Sequence, residues 1–164
     1  MTLITPILNS IANQKSPEVF HAKNWGLNWG NYLVDELKLV AFESPLKKSR
    51  LCLHPDIGDS HQEMLIVQHK NSKERPQRRF PGFDTKIVIE GEAIFRYYSL
   101  QGLVKKEINL GINYDTYLHT RNEDFHNLEV TTEWFVFLEI LNGPFTSTTT
   151  TFADFDLEGG GSVE

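Results

Sequence analysis

The stretch 75–91, RPQRRFPGFDTKIVIEG, constrains the fold more than any other part of the chain. It carries the spacing Gln77-x-Arg79-x4-Asp84-x6-Gly91 and runs straight into an apolar, strand-like segment that ends at the glycine. Alternate residues of a strand point to the same face of a sheet. The spacing therefore predicts two strands joined around Gly91, with the polar side chains of the motif turned towards one interior.

Strand-like segments continue along most of the chain. Alternating or apolar residues, separated by turn signals, occupy the ranges 49–70, 85–98, 103–110, 114–120 and 127–141. Many short strands with frequent turns are typical of a β-sandwich or a β-barrel. The sequence therefore predicts an all-β fold without internal repeats.

One segment has a clear helical pattern. In YLVDELKLVAFES, residues 32–44, the apolar side chains recur at helical spacing and Ser44-Pro45 supplies a stop. We expect this helix to cover one end of a barrel or a partner subunit. Residues 4–13 predict either a short helix or an arm.

Composition excludes several classes of protein. A chain of 164 residues predicts one domain, and its net charge of -6 argues against generic nucleic-acid binding. The single cysteine, Cys52, has no internal disulfide partner, and no apolar run reaches the roughly 20 residues of a membrane helix. The first residues, MTLITPILNSIANQK, lack the features of a leader. These observations predict a cytoplasmic protein that does not bind a membrane.

The spacing around Asp84 resembles that of the first motif of cupin barrels. In that motif, two histidines occupy the positions of residues 77 and 79, an acidic residue occupies position 84, and a glycine occupies position 91. The two histidines and the carboxylate bind a metal ion. Here Gln77 and Arg79 stand in the place of the two histidines. A permanent positive charge at Arg79 repels a cation. The frame of the motif therefore predicts a cupin barrel, while its residues predict that no metal binds there.

A longer series of landmarks resembles the WbuC-type cupin fold metalloproteins, which are often encoded with genes of surface-polysaccharide biosynthesis. The series is SPLKKSRLCLHP, Gln62, RPQRR, IEG at 89–91, Gly111, the turn at His126, GPF at 143–145 and FADF at 152–155. The resemblance implies a cupin double-stranded β-helix, or jelly-roll barrel, with a short N-terminal helical segment. It divides the chain into an N-terminal arm (1–31), a single cupin domain that includes the lead-in helix (32–158) and a flexible tail (159–164).

The resemblance also implies a pocket. Arg50 and His54 match the family pattern, Cys52 replaces an asparagine, and His126 keeps the last histidine. The predicted ligand-binding pocket consists of Gln77, Arg79, Asp84, His126, Arg50 and His54. Asp84 and His126 offer two metal ligands where a stable site needs about three. We therefore predict no cofactor; a metal, if one binds, would be a divalent transition metal ion.

The role of Arg79 has two readings. Its guanidinium either recruits an anion such as a carboxylate or phosphate, or it forms an internal ion pair with Asp84 that plugs the barrel. Cys52 lies between two leucines and is expected to be a packed residue.

Three functions follow from these residues. The first is a metal-free protein that binds a small anionic or carbohydrate-derived molecule, linked to surface-polysaccharide biosynthesis. The second is an enzyme, either a sugar isomerase or epimerase that uses His126 and Asp84 as base and acid, or a metalloenzyme with atypical ligands. The third is a structural partner protein with an aromatic-filled barrel. We also expect a homodimer, because Trp25, Leu27 and Trp29 have no evident place in a barrel core.

Overall fold

The computed structural model describes residues 5–79, 82–121, 123–146 and 148–155. The elements in chain order are α1 (Pro6–Ile11), β1 (Ala12–Ser16), β2 (Val19–Ala22), α2 (Asn31–Glu43), β3 (Lys48–Cys52), β4 (His61–His69), β5 (Gln77–Arg79), β6 (Phe83–Glu90), β7 (Glu92–Tyr98), β8 (Val104–Gly111), β9 (Tyr117–Arg121), β10 (Phe125–Val130), β11 (Trp134–Asn142) and β12 (Thr150–Phe152). The predicted flexible tail, 159–164, lies outside the described residues. With 50% strand and 13% helix, the protein is mostly β, as predicted.

Two sheets face each other across one interior. The larger has seven strands in the order β1-β2-β3-β4-β11-β6-β9, and the smaller has five in the order β12-β5-β10-β7-β8. The strand pairs are antiparallel except β2 with β3, which is parallel. Between β4 and β11 the chain passes repeatedly from one sheet to the other. This is the double-stranded β-helix that the sequence predicted.

Gly91 lies at one of these crossings. Strand β6 ends at Glu90 in the larger sheet, and β7 begins at Glu92 in the smaller sheet. Gly91 has φ +79°, a left-handed conformation that glycine adopts without steric cost. The prediction of two strands joined at this glycine is confirmed, and the glycine permits the change of sheet.

Helix α2 packs on the outer face of the larger sheet. Its buried residues Leu33, Leu37 and Val40 form a core with Leu51 and Leu65 of β3 and β4. The helix ends at Glu43, where the Ser44 backbone N–H donates to the Val40 carbonyl oxygen. The helix was predicted at this position, but it covers a sheet face rather than an end of the barrel.

Residues 6–22, assigned from the sequence to an arm, form α1, β1 and β2 and extend the larger sheet beyond β3. The Glu36 carboxylate of α2 accepts hydrogen bonds from the backbone N–H groups of Ile7 (3.1 Å) and Leu8 (2.8 Å). Leu27 and Trp29 pack against the core under α2, so these two side chains do have an intramolecular place. Neither helix in the described ranges is long and apolar enough to cross a membrane.

Candidate functional site

The barrel interior has an apolar end and a polar end. The apolar end is filled by Val88, Ala93, Phe95, Leu110, Leu128, Val130, Phe135 and Phe137. At the polar end, Asp84 and Lys86 of β6 face inward, because strand alternation places them on the face opposite Thr85 and Ile87. Aromatic residues thus fill only part of the interior, which leaves a charged end where chemistry can occur.

Three charged side chains form a buried ion cluster (Asp84, Lys86 and Glu139). The Lys86 ammonium donates hydrogen bonds to the Asp84 carboxylate and to Glu139 Oε1, the latter at 2.8 Å. The side chains of Lys86, Asp84 and Glu139 are 4%, 3% and 17% exposed. Cross-strand pairing explains the contact, because Lys86 lies directly opposite Glu139 of β11.

The ion cluster keeps a positive charge inside the barrel. Burial acts to lower the pKa of Lys86, but the charges and hydrogen bonds of Asp84 and Glu139 outweigh burial and raise this pKa. Burial raises the pKa of the Glu139 carboxyl, and the Lys86 charge acts against that rise. The Lys86 ammonium also lies 5.3 Å from the centre of the Phe95 ring. Lys86 is therefore an internal cation held by two carboxylates and an aromatic face.

Asp84 keeps one oxygen free for a further contact. Its Oδ2 accepts the hydrogen bond from Lys86, while its Oδ1 is buried and has no hydrogen-bond partner among the described residues. A buried acceptor without a donor is costly and calls for an explanation. A hydroxyl group or a water molecule in the interior would satisfy Asp84 Oδ1.

His126 of β10 presents a basic nitrogen to the same end. Its Nδ1 lies 3.1 Å from the Asp124 carbonyl oxygen, which only accepts, so Nδ1 carries the proton and Nε2 is unprotonated. The ring stacks on Phe95 with 5.1 Å between centroids. Burial lowers the pKa of His126 and the nearby Lys86 charge lowers it further, so the imidazole is neutral at neutral pH.

Arg79 of β5 lies near the ion cluster, within the influence of the Glu139 and Asp84 charges. Its Nη2 donates to the backbone carbonyl oxygen of Asn142 at 2.8 Å, and its guanidinium lies 5.4 Å from the centre of the Phe145 ring. Burial lowers the pKa of Arg79, and the charges of Glu139 and Asp84 act against this. The ion pair between Arg79 and Asp84, one of the two readings from sequence, is wrong: Asp84 pairs with Lys86 instead.

The other predicted site residues fall in two places. Gln77 lies opposite His126 in the smaller sheet, so both occupy the same face at the polar end. Arg50 is exposed on β3, and its charge acts against the raised pKa of the Glu139 carboxyl. His54 does not join the ion cluster; it lies beside His21 and Cys52.

Sequence reasoning missed Lys86 and Glu139. A signal was present in each case. Lys86 is two residues after Asp84 and so shares its strand face, and Glu139 is the one charged residue in the otherwise apolar stretch 134–141. A charged side chain in an apolar strand indicates an inward-facing charge with a partner.

Two open grooves lie near the barrel. The first, of about 410 Å³, runs between β8 and β9 and is lined by side chains such as Lys106 and Tyr117. The second, of about 390 Å³, lies over β6, β9 and β11 and is lined by residues that include Phe83, His119 and Asn142. The second groove therefore borders Asn142, the residue whose carbonyl oxygen Arg79 holds.

No protein-family model and no curated protein matches the chain in sequence. Solved structures do match its fold. A structure of CapF with the inhibitor 3-isopropenyl-tropolone has a TM-score of 0.58 and 13% identity, over 69% of this chain and 33% of CapF. An oxalate oxidase in complex with the substrate analogue glycolate has a TM-score of 0.52 and 9% identity, over 67% of this chain and 57% of the oxidase.

A third structure, an oxalate decarboxylase formate complex from Lactobacillus farciminis, has a TM-score of 0.51 and 10% identity, over 67% of this chain and 32% of the decarboxylase. The chain thus matches about a third of the length of two of these proteins and somewhat more than half of the other. These likenesses show the fold. The chain is a cupin-fold protein, a double-stranded β-helix with a short N-terminal helix.

Proposed function

We propose that this cupin-fold protein binds a small anionic, carbohydrate-derived molecule at the polar end of its barrel. The observation that carries the proposal is Arg79, a largely buried guanidinium for which no carboxylate partner lies within 4 Å among the described residues. A guanidinium with unused donors matches a carboxylate or phosphate group in geometry and charge.

The neighbouring groups fit the rest of such a ligand. Asp84 Oδ1 and His126 Nε2 are acceptors, and both would accept a hydrogen bond from a hydroxyl group. A molecule with one anionic group and nearby hydroxyls, such as a sugar acid or a sugar phosphate, supplies both kinds of contact. Resemblance to the WbuC-type proteins supports a cytoplasmic role in surface-polysaccharide biosynthesis.

The ion cluster supports binding without a metal at this end of the barrel. The Lys86 ammonium lies between Asp84 and Glu139, where a divalent cation would have to displace it. Gln77 and Arg79 occupy the positions of the two histidines in the cupin motif, and neither is a transition-metal ligand of comparable strength.

Replacing Arg79 by alanine is expected to weaken binding of anionic ligands about 10- to 100-fold, because charge-assisted hydrogen bonds worth about 1.5–3 kcal/mol are lost. Calorimetric titration with glucuronate, glucose 1-phosphate and uncharged glucose measures the effect. Only the two anions should lose affinity. Arg78→Ala is the matched control, because it removes the same charge from the neighbouring residue. The side chain of Arg78 points to the opposite face of β5 and lies 4.8 Å from the centre of the Phe125 ring.

Two outcomes would contradict this account. If Arg79→Ala binds both anions as the unchanged protein does, Arg79 is not the anchor. If the variant instead unfolds more easily while Arg78→Ala does not, the contacts of Arg79 with Asn142 and Phe145 are structural.

The alternative function is a metal-free isomerase or epimerase. It is favoured by His126, a neutral imidazole whose unprotonated Nε2 is suited to accept a proton. Asp84 is not free to act as its acid partner, because one of its oxygens holds Lys86. Conversion of a bound probe into an isomer in the titration samples, seen by nuclear magnetic resonance, would favour the enzyme over the binding protein.

A homodimer remains part of the proposal, with the outer face of α2 as its interface. Leu39 and Phe42 are 52% and 55% exposed on that face. The double substitution Leu39→Ser with Phe42→Ser should convert a dimer into a monomer in light scattering. Leu100→Ser, at an exposed turn, is the control and should leave the mass unchanged. If the unchanged protein is a monomer at micromolar concentration, the proposal of a homodimer is wrong.

A further inference from the structure

A second cluster of chemically active side chains lies at the side of the barrel, formed by His21, Cys52 and His54. The parallel pairing of β2 with β3 places His21 opposite Cys52, and His54 lies in the bend two residues beyond Cys52, where β3 ends. The three residues are 6%, 2% and 2% exposed. One ligand atom from each lies within 4.8 Å of the other two. We call this group the His–Cys–His cluster.

The cluster contains an unexplained polar atom. The Nδ1 of His21 is buried and has no hydrogen-bond partner among the described residues. A buried ring nitrogen without a partner is unfavourable, and such atoms call for a ligand, a water molecule or an ion. One ring nitrogen of His21 lies within 4.8 Å of a ligand atom of Cys52 and of His54, and an ion bound through Nδ1 would satisfy this atom.

His54 is oriented as a ligand by a backbone contact. Its Nδ1 lies 3.1 Å from both the backbone carbonyl oxygen and the backbone N–H of Glu63, so this contact fits either tautomer of the ring. In the tautomer in which Nδ1 donates to the carbonyl oxygen, Nε2 keeps a free lone pair, the arrangement that metal-binding histidines use. A metal ion binds the neutral imidazole through this lone pair.

We propose that the His–Cys–His cluster binds one borderline-soft transition metal ion of the zinc type. Two imidazoles and one thiolate suit zinc, whereas magnesium, calcium and manganese prefer oxygen ligands, and none belongs to this cluster. A tetrahedral ion with bonds of about 2.0–2.3 Å brings its ligand atoms to roughly 3.3–3.8 Å apart, so the side chains close by about 1 Å. A fourth position is left for a water molecule or an anion.

This site differs from the polar end of the barrel. Cys52 lies opposite Met64 of β4, and Met64 lies opposite Glu139 of β11, so two strand spacings of about 4.8 Å separate Cys52 from the ion cluster. Without metal, burial raises the pKa of the Cys52 thiol to about 11. Metal binding therefore releases the thiol proton to solvent as the sulfur–metal bond forms. The proposal stands independently of ligand binding at Arg79.

Titration of the chelator-treated full chain with Co²⁺ tests the proposal, because a cobalt–thiolate bond gives a charge-transfer absorption that histidine and carboxylate ligands do not. We expect one equivalent of Co²⁺ to produce this band and one equivalent of Zn²⁺ to remove it. Zn²⁺ should also raise the melting temperature of the protein. Cobalt binding without the thiolate band, or no binding, would overturn the proposal.

Variants assign the ligands. Cys52→Ser, which changes one atom, should lose the band and the rise in melting temperature; a band that persists in Cys52→Ser overturns the site. His21→Asn and His54→Asn should each weaken Co²⁺ binding by more than about 100-fold, since even second-shell changes cost 10- to 100-fold. His61→Asn is the control, because His61 is exposed and lies outside the cluster. If His21→Asn or His54→Asn fails to fold, the cobalt titration of Cys52→Ser still tests whether the cluster binds the metal ion.

Discussion

Replacing Lys86 by methionine is expected to lower the free energy of unfolding by about 3–5 kcal/mol at neutral pH, because it leaves buried carboxylates without their counter-charge. Lys86 is the ion-pair partner of both Asp84 and Glu139, and the side chains of Lys86 and Asp84 are nearly fully buried. Methionine keeps most of the volume of lysine, so the loss reports the charge rather than a cavity. Urea denaturation followed by fluorescence measures it.

Arg96→Met is the matched control for Lys86→Met. Arg96 also bridges two carboxylates, Glu107 and Glu129, but these are about half exposed. Exposed ion pairs contribute about 0–1 kcal/mol, so the control should change stability little. An equal loss in the two variants would contradict the assignment of a buried ion cluster.

The pH dependence gives a second check on Lys86. Its pKa is raised above the ordinary value of 10.5, so its contribution to stability is fully present below about pH 10.5 and is lost as the pH rises further. In Lys86→Met, the Glu139 carboxyl, whose pKa burial raises, takes up a proton in the folded state as the pH falls, which should reduce the loss of stability in acid. Adding Asp84→Asn and Glu139→Gln should recover much of the loss at neutral pH.

The elements that could be predicted from sequence are those whose signal is local. Helix α2 has Leu33, Leu37 and Val40 at helical spacing with a Ser-Pro stop, and it forms one residue from the predicted position. The strands on both sides of Gly91 have clear turn chemistry and apolar content, and they form where expected. Local periodicity does not reveal which sheet a strand joins, so the face that α2 covers was not predicted.

The site was predictable only where its residues lie close in sequence. Arg79 and Asp84 were selected from motif spacing, but β5 and β6 belong to different sheets, and the partner of Asp84 is Lys86, which strand alternation could have indicated. Glu139 is 53 residues from Lys86, and only the register of β6 against β11 joins them. His21 reaches Cys52 through a parallel strand pair for which the sequence has no local signal.

Replacing Gly91 by alanine is expected to lower the free energy of unfolding by about 2–5 kcal/mol. The φ of +79° costs an L-residue about 1–2 kcal/mol, and forcing a side chain into an occupied space adds about 1–3 kcal/mol. An alanine Cβ would lie 1.9 Å from the Trp134 carbonyl oxygen and 2.7 Å from Thr132 Oγ1. Thermal and urea unfolding of the purified variant measure the loss.

Gly26→Ala separates the two causes. Gly26 has φ +81°, nearly that of Gly91, but an alanine Cβ there meets nothing within 4 Å. This control should therefore lose only the conformational term of about 1–2 kcal/mol. Equal losses at the two glycines would mean that the close approach of Gly91 to Trp134 carries no energetic weight.

The atom nearest to an added Cβ at Gly91 is the backbone carbonyl oxygen of Trp134, which belongs to β11, the strand that also contains Glu139 of the ion cluster. Thr132 Oγ1 accepts from the Glu92 N–H at 2.9 Å and donates to the Trp134 carbonyl oxygen at 2.7 Å, so the corner cannot open without losing these bonds. Trp134 begins β11, whose register with β6 aligns Glu139 with Lys86. Gly91→Ala should therefore weaken the ion cluster as well. The double variant with Gly91→Ala and Lys86→Met should then lose less free energy of unfolding than the sum of the losses in the two single variants. Strict additivity would show that the corner and the cluster are energetically independent.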